Sequence, residues 1–326
     1  MAHSKNLTSV DLFKFIASLM VVAIHAHPFM SNADVDYWFT SICRVAVPFF
    51  FVIGSYFYFK SKKTISSYIK RLLLLYLVWF IIEIPFIYER FFLNTSFFKG
   101  LAYFTRGLLI NNTFYASWYI TASWQATLII YLLAKRSNIL LYTVAFFCAF
   151  LSVSNASYAH LFDNSVWNIF TKITSICFAS NSFIAAIPFC VIGRYIAINE
   201  DVLLKKVSYL RYVLLGFIVF GIYEIFVCRQ YYLMTDSFLS LYPIIFLIVI
   251  LLISYSLPIN KNVSQFLRKM SIIIYLSHGI VMRLLRLWCN MEEGVSMFLL
   301  TALFSVLISY LIVKLSSKFQ FLKYLY

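Results

Sequence analysis

Apolar stretches of membrane-spanning length recur along the whole chain, and short polar connections separate them. A stretch of about 20 apolar residues with few charges can cross the hydrocarbon core of a bilayer as an α-helix. A helix also satisfies its own backbone hydrogen bonds, which lipid cannot do. The pattern predicts an all-α, polytopic membrane helix bundle of about ten transmembrane helices, at residues 10–29, 42–59, 72–89, 114–134, 138–154, 183–199, 211–228, 238–257, 270–289 and 295–314.

The composition supports a membrane protein over a soluble one. Hydrophobic residues make up 63% of the chain and charged residues 12%, whereas soluble domains are about half apolar and a quarter charged. One aqueous core cannot bury this apolar surplus. We predict a single integral membrane domain over residues 1–326, in which the longest connection, about 155–182, lies along the membrane interface or folds back into the protein.

The basic residues predict the orientation of the bundle. With a cytoplasmic N-terminus and ten spans, 18 Lys and Arg fall on the cytoplasmic side and 7 on the outer side, as the positive-inside rule requires. Both termini are then cytoplasmic. Because these charges lie in short loops between apolar runs, the net charge of +15 indicates contact with membrane lipid and no binding of nucleic acid.

The first predicted helix carries three ionisable residues on one face. Asp11, Lys14 and His25 lie within about 60° of one another around the helix axis, at 100° per residue, and span roughly 21 Å along it. Charged groups within a membrane cost several kcal/mol and commonly line an interior path. A structural alternative pairs Asp11 with Lys14 near the interface and leaves His25 with a packing hydrogen bond. His27 is expected to sit in the exit turn and to point elsewhere.

Further candidate residues occur in later spans. Arg44 opens the second span, Lys70 and Arg71 precede the third, and Trp118-Tyr119 begins the fourth. Each has a structural alternative, because arginine can snorkel to headgroups, basic loops set orientation, and Trp-Tyr pairs form interfacial belts.

The ninth span places Tyr275 and His278 near the middle of the membrane, as candidate pocket residues. The six cysteines are scattered without a CxxC pair, so no metal site is predicted. The sequence also contains no phosphate-binding glycine loop, GxSxG or HExxH motif.

At these positions the sequence resembles acyltransferase family 3, a family of multi-pass membrane O-acyltransferases. The matching segments are each short, but their order covers nearly the whole chain. They are Asp11 to Lys14 with Val21 to His25, Arg44 to Phe57, the basic region around Arg71, Trp118-Tyr119, Ile187-Pro188-Phe189 with Gly193, and Ile274 to His278. One departure is that many members begin the first helix with an arginine pattern, where this chain has Asp11-Leu12-Phe13-Lys14.

The resemblance implies transfer of an acetyl or other acyl group from cytoplasmic acetyl-CoA to a hydroxyl of a cell-envelope sugar or glycan, in a bacterial plasma membrane. His25 is then the base for the hydroxyl proton, or briefly carries the acyl group, and Arg44 stabilises the oxyanion or binds a substrate. Asp11, Lys14, Lys70 and Arg71 would belong to the entrance for the acetyl-CoA donor.

The same resemblance makes Trp118, Tyr119, Tyr275 and His278 the wall of a substrate pocket for the glycan or lipid-linked sugar acceptor. An oligomer is compatible with the sequence. The alternative function is a transporter or exporter of a lipid-linked glycan or small metabolite that uses the polar face of the first helix as its path. Inverted repeats would favour transport, and none is visible in the sequence.

Overall fold

The computed structural model describes residues 7–61, 63–110, 112–161, 179, 181–231 and 237–326, which are mostly helical and contain no strand. The all-α prediction is therefore confirmed for these ranges. The helices are α1 (Thr8–Ala26), α2 (Ala33–Cys43), α3 (Ala46–Lys60), α4 (Ile65–Tyr88), α5 (Phe97–Leu109), α6 (Ser117–Arg136), α7 (Asn138–Ser154), α8 (Phe183–Lys205), α9 (Val207–Arg229), α10 (Leu241–Ser254), α11 (Lys261–Cys289) and α12 (Val295–Leu315). A π-helical turn, Glu89–Leu93, follows α4, and 3-10 turns occupy Ala159–Leu161 and Gln320–Leu325.

Seven helical segments within the described ranges are long and apolar enough to cross a membrane. They are α1, α2 with α3, α4 with its π-helical turn, α8, α9, α11 and α12. Helices α7 and α10 are apolar but shorter, with 17 and 14 residues. The chain is thus built as an integral membrane protein, while the count of ten spans and the cytoplasmic termini stay predictions.

The spanning segments form an inner and an outer group. In α1, α2 with α3, α8 and α11, more than half of the most apolar window is buried inside the protein, against about a fifth in α4, α9 and α12. The inner helices pack mainly as α3 against α8 and α1 against α11. Lipid-facing helices can expose apolar side chains freely, so the polar chemistry is expected between the inner helices.

The tightest contact in this inner group joins α3 to α8 at Gly193. A Cβ atom on Gly193 would lie 2.2 Å from the carbonyl oxygen of Val52 and 2.9 Å from the Cβ of Ser55. The Ser55 hydroxyl donates a hydrogen bond of 2.7 Å to the carbonyl oxygen of Cys190 on the same contact. Small residues at helix crossings allow such close backbone approach in membranes.

Two short helices, α2 and α5, were not predicted from the sequence. The predicted span 42–59 is α3 preceded by α2, and the chain bends between them at Arg44 and Val45. Helix α5 lies between two predicted spans and exposes large side chains such as Phe97 and Phe98. With 11 and 13 residues, α2 and α5 are each too short to span a membrane alone, and α2 belongs to a spanning segment only together with α3.

Two helices begin seven or more residues before their predicted starts. Helix α4 begins at Ile65, seven residues before the predicted start, because the Thr64 hydroxyl accepts a hydrogen bond from the amide of Ser67 and caps it. Helix α11 begins at Lys261, where the Asn260 side chain caps it. Basic residues expected in loops therefore lie on helices. Most of the predicted connection 155–182 lies outside the described residues.

A buried carboxylate fixes the start of α10. The two oxygens of Glu224 accept hydrogen bonds from the backbone amides of Leu239 and Ser240, at 2.7 and 2.8 Å, and from the hydroxyl of Tyr158 at 2.7 Å. The amides precede α10, where unpaired N–H groups and the helix dipole favour a negative charge. These three donors satisfy the carboxylate of Glu224 inside the protein.

We expect Gly193→Ala to lower the thermal unfolding midpoint of the purified protein, because its methyl group would strike the α3 backbone, which cannot rotate away. Overpacking of this kind costs about 1–3 kcal/mol or more. Gly216 in α9 is the matched control, since a Cβ there would meet nothing within 4 Å. Gly216→Ala should leave the midpoint unchanged or raise it, because alanine favours helix over glycine by about 1 kcal/mol. Equal unfolding midpoints for the two variants would contradict the close approach of α3 and α8 at Gly193.

Candidate functional site

A cavity of about 350 Å³ lies at the end of α1 where that helix terminates. We call it the histidine cavity, because its lining includes His25 and His27 together with Arg44, Trp118 and Tyr275. Helix α1 contributes His25, the junction between α2 and α3 contributes Arg44, and α6 and α11 contribute the aromatic residues. Four predicted site residues that lie far apart in the chain are thereby brought to one site.

His25 is held between two rings. Its imidazole lies 5.0 Å from the ring of Tyr115 and 5.3 Å from that of His278, measured between centroids, and it stacks on His278 at 21°. His25 itself is half-buried and lines the cavity, whereas His278 is fully buried. Of these two stacked histidines, His25 is therefore the one that a bound molecule can reach.

His278 has one fixed nitrogen and one without a hydrogen bond. Its Nδ1 lies 2.7 Å from the carbonyl oxygen of Tyr275, so Nδ1 carries the proton and donates it. Nε2 makes no hydrogen bond to the described residues. The neighbouring Gly279 is also constrained, because a Cβ there would lie 2.5 Å from the side chain of Tyr115. The residues behind His25 are therefore packed against one another and hold its ring in place.

His27 differs from the prediction. It does sit in the exit turn, in the left-handed conformation with φ of 44°, but it lines the histidine cavity as His25 does. Its Nδ1 lies 2.7 Å from Oδ2 of Asp36, whose other oxygen accepts from the amide of Phe29 at 3.2 Å. The tight turn re-aims the side chain, which helical spacing alone could not indicate. Asp36 was missed because it belongs to the unrecognised α2.

A second cavity, of about 560 Å³, lies toward the other end of α1 and is strongly basic. We call it the basic cavity. Lys14 lies on α1 about 11 residues, or roughly 16 Å, before His25. No Asp or Glu occurs among the described residues that line this cavity, so it favours an anionic ligand. The cationic residues of its lining are Lys14, Lys63, Arg71, Arg268 and Lys269.

A third cavity, of about 410 Å³, adjoins the basic cavity and is mostly apolar. We call it the apolar cavity. Arg71 and Ser271 line both of these cavities, so polar groups mark the place where they meet. Leu72, Leu75 and Leu276 supply part of its apolar wall. The two adjoining cavities together can hold a molecule with a charged end and an apolar or uncharged arm.

Three aromatic rings separate these cavities from the histidine cavity. Phe50, Tyr119 and Tyr275 pack with ring centroids 5.3–6.0 Å apart, and we call them the aromatic layer. Tyr275 lines the histidine and apolar cavities, while Phe50 and Tyr119 line the basic and apolar cavities. Trp118, next to Tyr119 in the chain, faces the histidine cavity. Of the predicted pocket residues, Trp118, Tyr119 and Tyr275 lie at the boundary between the two sites, whereas the buried His278 lines none of the three cavities.

Two residues predicted at the donor entrance lie outside the cavity linings described here. Asp11 is buried, and its Oδ2 accepts a hydrogen bond of 2.8 Å from the hydroxyl of Ser264, which ties α1 to α11. Lys70 is exposed on α4, one residue before Arg71. Arg268 and Lys269 were not among the predicted site residues. They line the basic cavity because α11 begins about two turns before its predicted start and carries both of them.

A protein-family model described as "Acyltransferase domain" matches residues 7–314, which is nearly the whole chain. The matched range includes the histidine cavity, the aromatic layer and all five cations of the basic cavity. No solved structure matches.

Among curated proteins, the chain is similar to two enterococcal racemases. It is 28% identical over 237 residues to an "Amino-acid racemase" of Enterococcus faecalis, covering 68% of this chain and 32% of that protein. It is 32% identical over 126 residues to a "Serine/alanine racemase" of Enterococcus gallinarum, covering 35% of this chain and 18% of that protein. The chain spans about a third or less of the length of these relatives.

Diethyl pyrocarbonate, which modifies accessible imidazole nitrogens, should distinguish the histidines of the site. We expect modification of His25 and His27, which line the cavity, and protection of His278, which is fully buried. Peptide mass spectrometry of the folded protein measures the three rates, and His278 serves as the internal control. Modification of His278 as fast as of His25 would contradict the arrangement of the two stacked rings.

Proposed function

This chain belongs to the acyltransferase domain family, and we propose that it transfers an acetyl or similar acyl group from cytoplasmic acetyl-CoA to a hydroxyl of a cell-envelope sugar or glycan. The observation that carries the proposal is the placement of two chemically different sites on either side of one aromatic layer. The basic and apolar cavities suit an anionic donor with a long arm. The histidine cavity, on the other side, offers an acid-base residue to an acceptor.

The donor fits the charges of the basic cavity. CoA carries its phosphate groups at one end and its thioester at the other, joined by an uncharged pantetheine arm. Lys14, Arg71 and Arg268 can meet the phosphates, because charge-assisted hydrogen bonds to phosphate are strong and arginine binds it in a bidentate manner. The arm then lies along the apolar cavity, and the thioester reaches the aromatic layer near Tyr275.

The acceptor reaction needs a base and a site for negative charge. The hydroxyl oxygen of the acceptor attacks the thioester carbonyl carbon while His25 takes the hydroxyl proton. The tetrahedral intermediate carries its negative charge on the former carbonyl oxygen, where Arg44 can stabilise it. Breakdown of the intermediate breaks the carbon–sulfur bond and releases CoA as a thiolate, which recovers the proton from His25. A covalent acyl-His25 intermediate would use the same residues in two successive steps.

The membrane arrangement follows from the same proposal. The basic cavity opens on the side that the positive-inside rule makes cytoplasmic, where acetyl-CoA is found. The histidine cavity then faces the outer leaflet of a bacterial plasma membrane, where a glycan or a lipid-linked sugar is available. The racemase activity named for the relatives is not transferred to this chain, because the similarity covers about a third or less of each of them.

Replacing His25 tests the acid-base step. We expect His25→Ala to reduce transfer of radiolabelled acetyl groups from acetyl-CoA to cell-envelope glycans by about 100-fold or more, the usual effect of losing a general base. The assay uses the purified protein in proteoliposomes with acetyl-CoA on the side of the basic cavity.

The control for that assay is His160→Ala, because His160 stacks on Tyr231 with ring centroids 4.3 Å apart and is not among the described residues that line the three cavities. Undiminished labelling in His25→Ala would remove His25 from the mechanism. If wild-type vesicles moved a glycan across the membrane without acetyl-CoA and transferred no label, the alternative transport function would replace the proposal.

Replacing Arg71 tests the donor site. We expect Arg71→Ala to raise the KM for acetyl-CoA by about tenfold, the effect of about 1.4 kcal/mol from one charge-assisted contact, with a smaller change in kcat. Initial rates at varied acetyl-CoA measure both constants. Arg136→Ala is the matched control, since Arg136 ends α6 and is not among the described residues lining the basic or apolar cavity. A KM that rises equally in both variants would argue for a general charge effect instead.

A further inference from the structure

A short segment after α12 turns back and covers the two donor-side cavities. We call residues 319–326 the returning segment; most of it forms a 3-10 turn, Gln320–Leu325. It packs against α4 and α12. The segment lies beyond residue 314, where the match to the acyltransferase family model ends. Its contribution to the site is therefore a property of this chain that family membership does not supply.

Three contacts hold the returning segment in place. The indole nitrogen of Trp79 on α4 donates a buried hydrogen bond of 3.2 Å to the carbonyl oxygen of Leu325. The hydroxyls of Tyr326 and Ser316 lie 2.8 Å apart, and Nζ of Lys269 sits 5.3 Å from the centre of the Tyr326 ring. Since Leu325 and Trp79 are both buried, the segment is anchored in the core of the bundle and is not merely lying on the surface.

The anchored segment presents three side chains to the cavities. Lys323, Tyr324 and Tyr326 line the apolar cavity, and Tyr326 also lines the basic cavity. Lys323 joins Lys63 and Arg71 as a cation on the wall of the apolar cavity, where the described lining contains no Asp or Glu side chain. Three cationic side chains and no Asp or Glu side chain line this wall, so an anionic ligand is a natural partner for Lys323.

We propose that the returning segment is part of the donor site, in which Lys323 binds a phosphate group of CoA at the junction of the basic and apolar cavities. Tyr326, three residues later and on the same side of the 3-10 turn, closes the wall at that junction. This inference rests on the proposed function for the identity of the donor. Lys323 binds and positions the donor and takes no part in the acyl transfer step. Because the anchor at Trp79 holds the segment against α4, binding of CoA and ordering of the segment are coupled.

Equilibrium binding measured by titration calorimetry tests the role of Lys323 without the need for an acceptor. The probes are CoA and pantetheine, which lacks the phosphates. We expect Lys323→Ala to raise the Kd of CoA about three- to tenfold, as expected for a partly exposed charged contact, and to leave the binding of pantetheine unchanged. Lys318→Ala is the matched control, because Lys318 is exposed just before the segment and its Nζ sits over the Phe319 ring.

Hydrogen–deuterium exchange of the full chain tests the anchor. We expect CoA to slow amide exchange in residues 319–326, and Trp79→Phe, which keeps the ring but removes the donor to Leu325, to speed exchange there and weaken CoA binding. Should Trp79→Phe fail to fold, the wild-type exchange and Lys323→Ala still decide the question. An unchanged Kd of CoA in Lys323→Ala, with no protection of the segment by CoA, overturns the inference and leaves the transferase proposal intact. CoA binding with protection but without acyl transfer supports this donor site and overturns the proposed function.

Discussion

The close approach of α3 and α8 at Gly193 is the constraint on which the arrangement of both sites depends. A side chain at this crossing would meet the Val52 carbonyl oxygen, so the two helices share one fixed separation. Helix α3 carries Phe50 to the basic and apolar cavities and Phe51 to the histidine cavity. A displacement of α3 by even an ångström would move both walls together. The backbone contact at Gly193 therefore sets the position of α3, and with it the positions of the α3 side chains that line both sites.

Polar groups inside the bundle divide into those with structural partners and those that line the cavities. Glu224 is saturated by amides and a hydroxyl, and Asp11 is bonded to Ser264. Lys14 and His25, which share a helix face with Asp11, instead line the basic and histidine cavities. Because lipid offers no hydrogen bonds, an ionisable residue in a spanning helix must belong to one of these classes. The polar face of α1 therefore holds a structurally bonded residue, Asp11, and two cavity-lining residues, Lys14 and His25.

Much of the fold could be predicted from the sequence because lipid imposes a strong pattern. Apolar length predicts helices, and ionisable residues in those helices indicated the inward face of α1. Helices α2 and α5 were missed because short amphipathic helices carry no such length signal. The contact between His27 and Asp36 depends on a left-handed turn at His27, which hydrophobic periodicity does not predict. The position of Lys269 in the basic cavity depends on where α11 begins, and that of Tyr326 depends on its tertiary contact with Ser316 at the end of α12. Hydrophobic periodicity predicts neither.

The aromatic layer has a consequence for the cell that carries this protein. A membrane enzyme open to water from both ends risks becoming a leak for protons and ions, which would dissipate the gradients that the membrane maintains. Phe50, Tyr119 and Tyr275 interrupt the column of polar groups at the one level where the cavities approach each other. An apolar chain end can pass between such rings, whereas a hydrated ion would have to shed its water to do so. In the proposed transferase, the three side chains at which donor and acceptor meet therefore also insulate the bilayer.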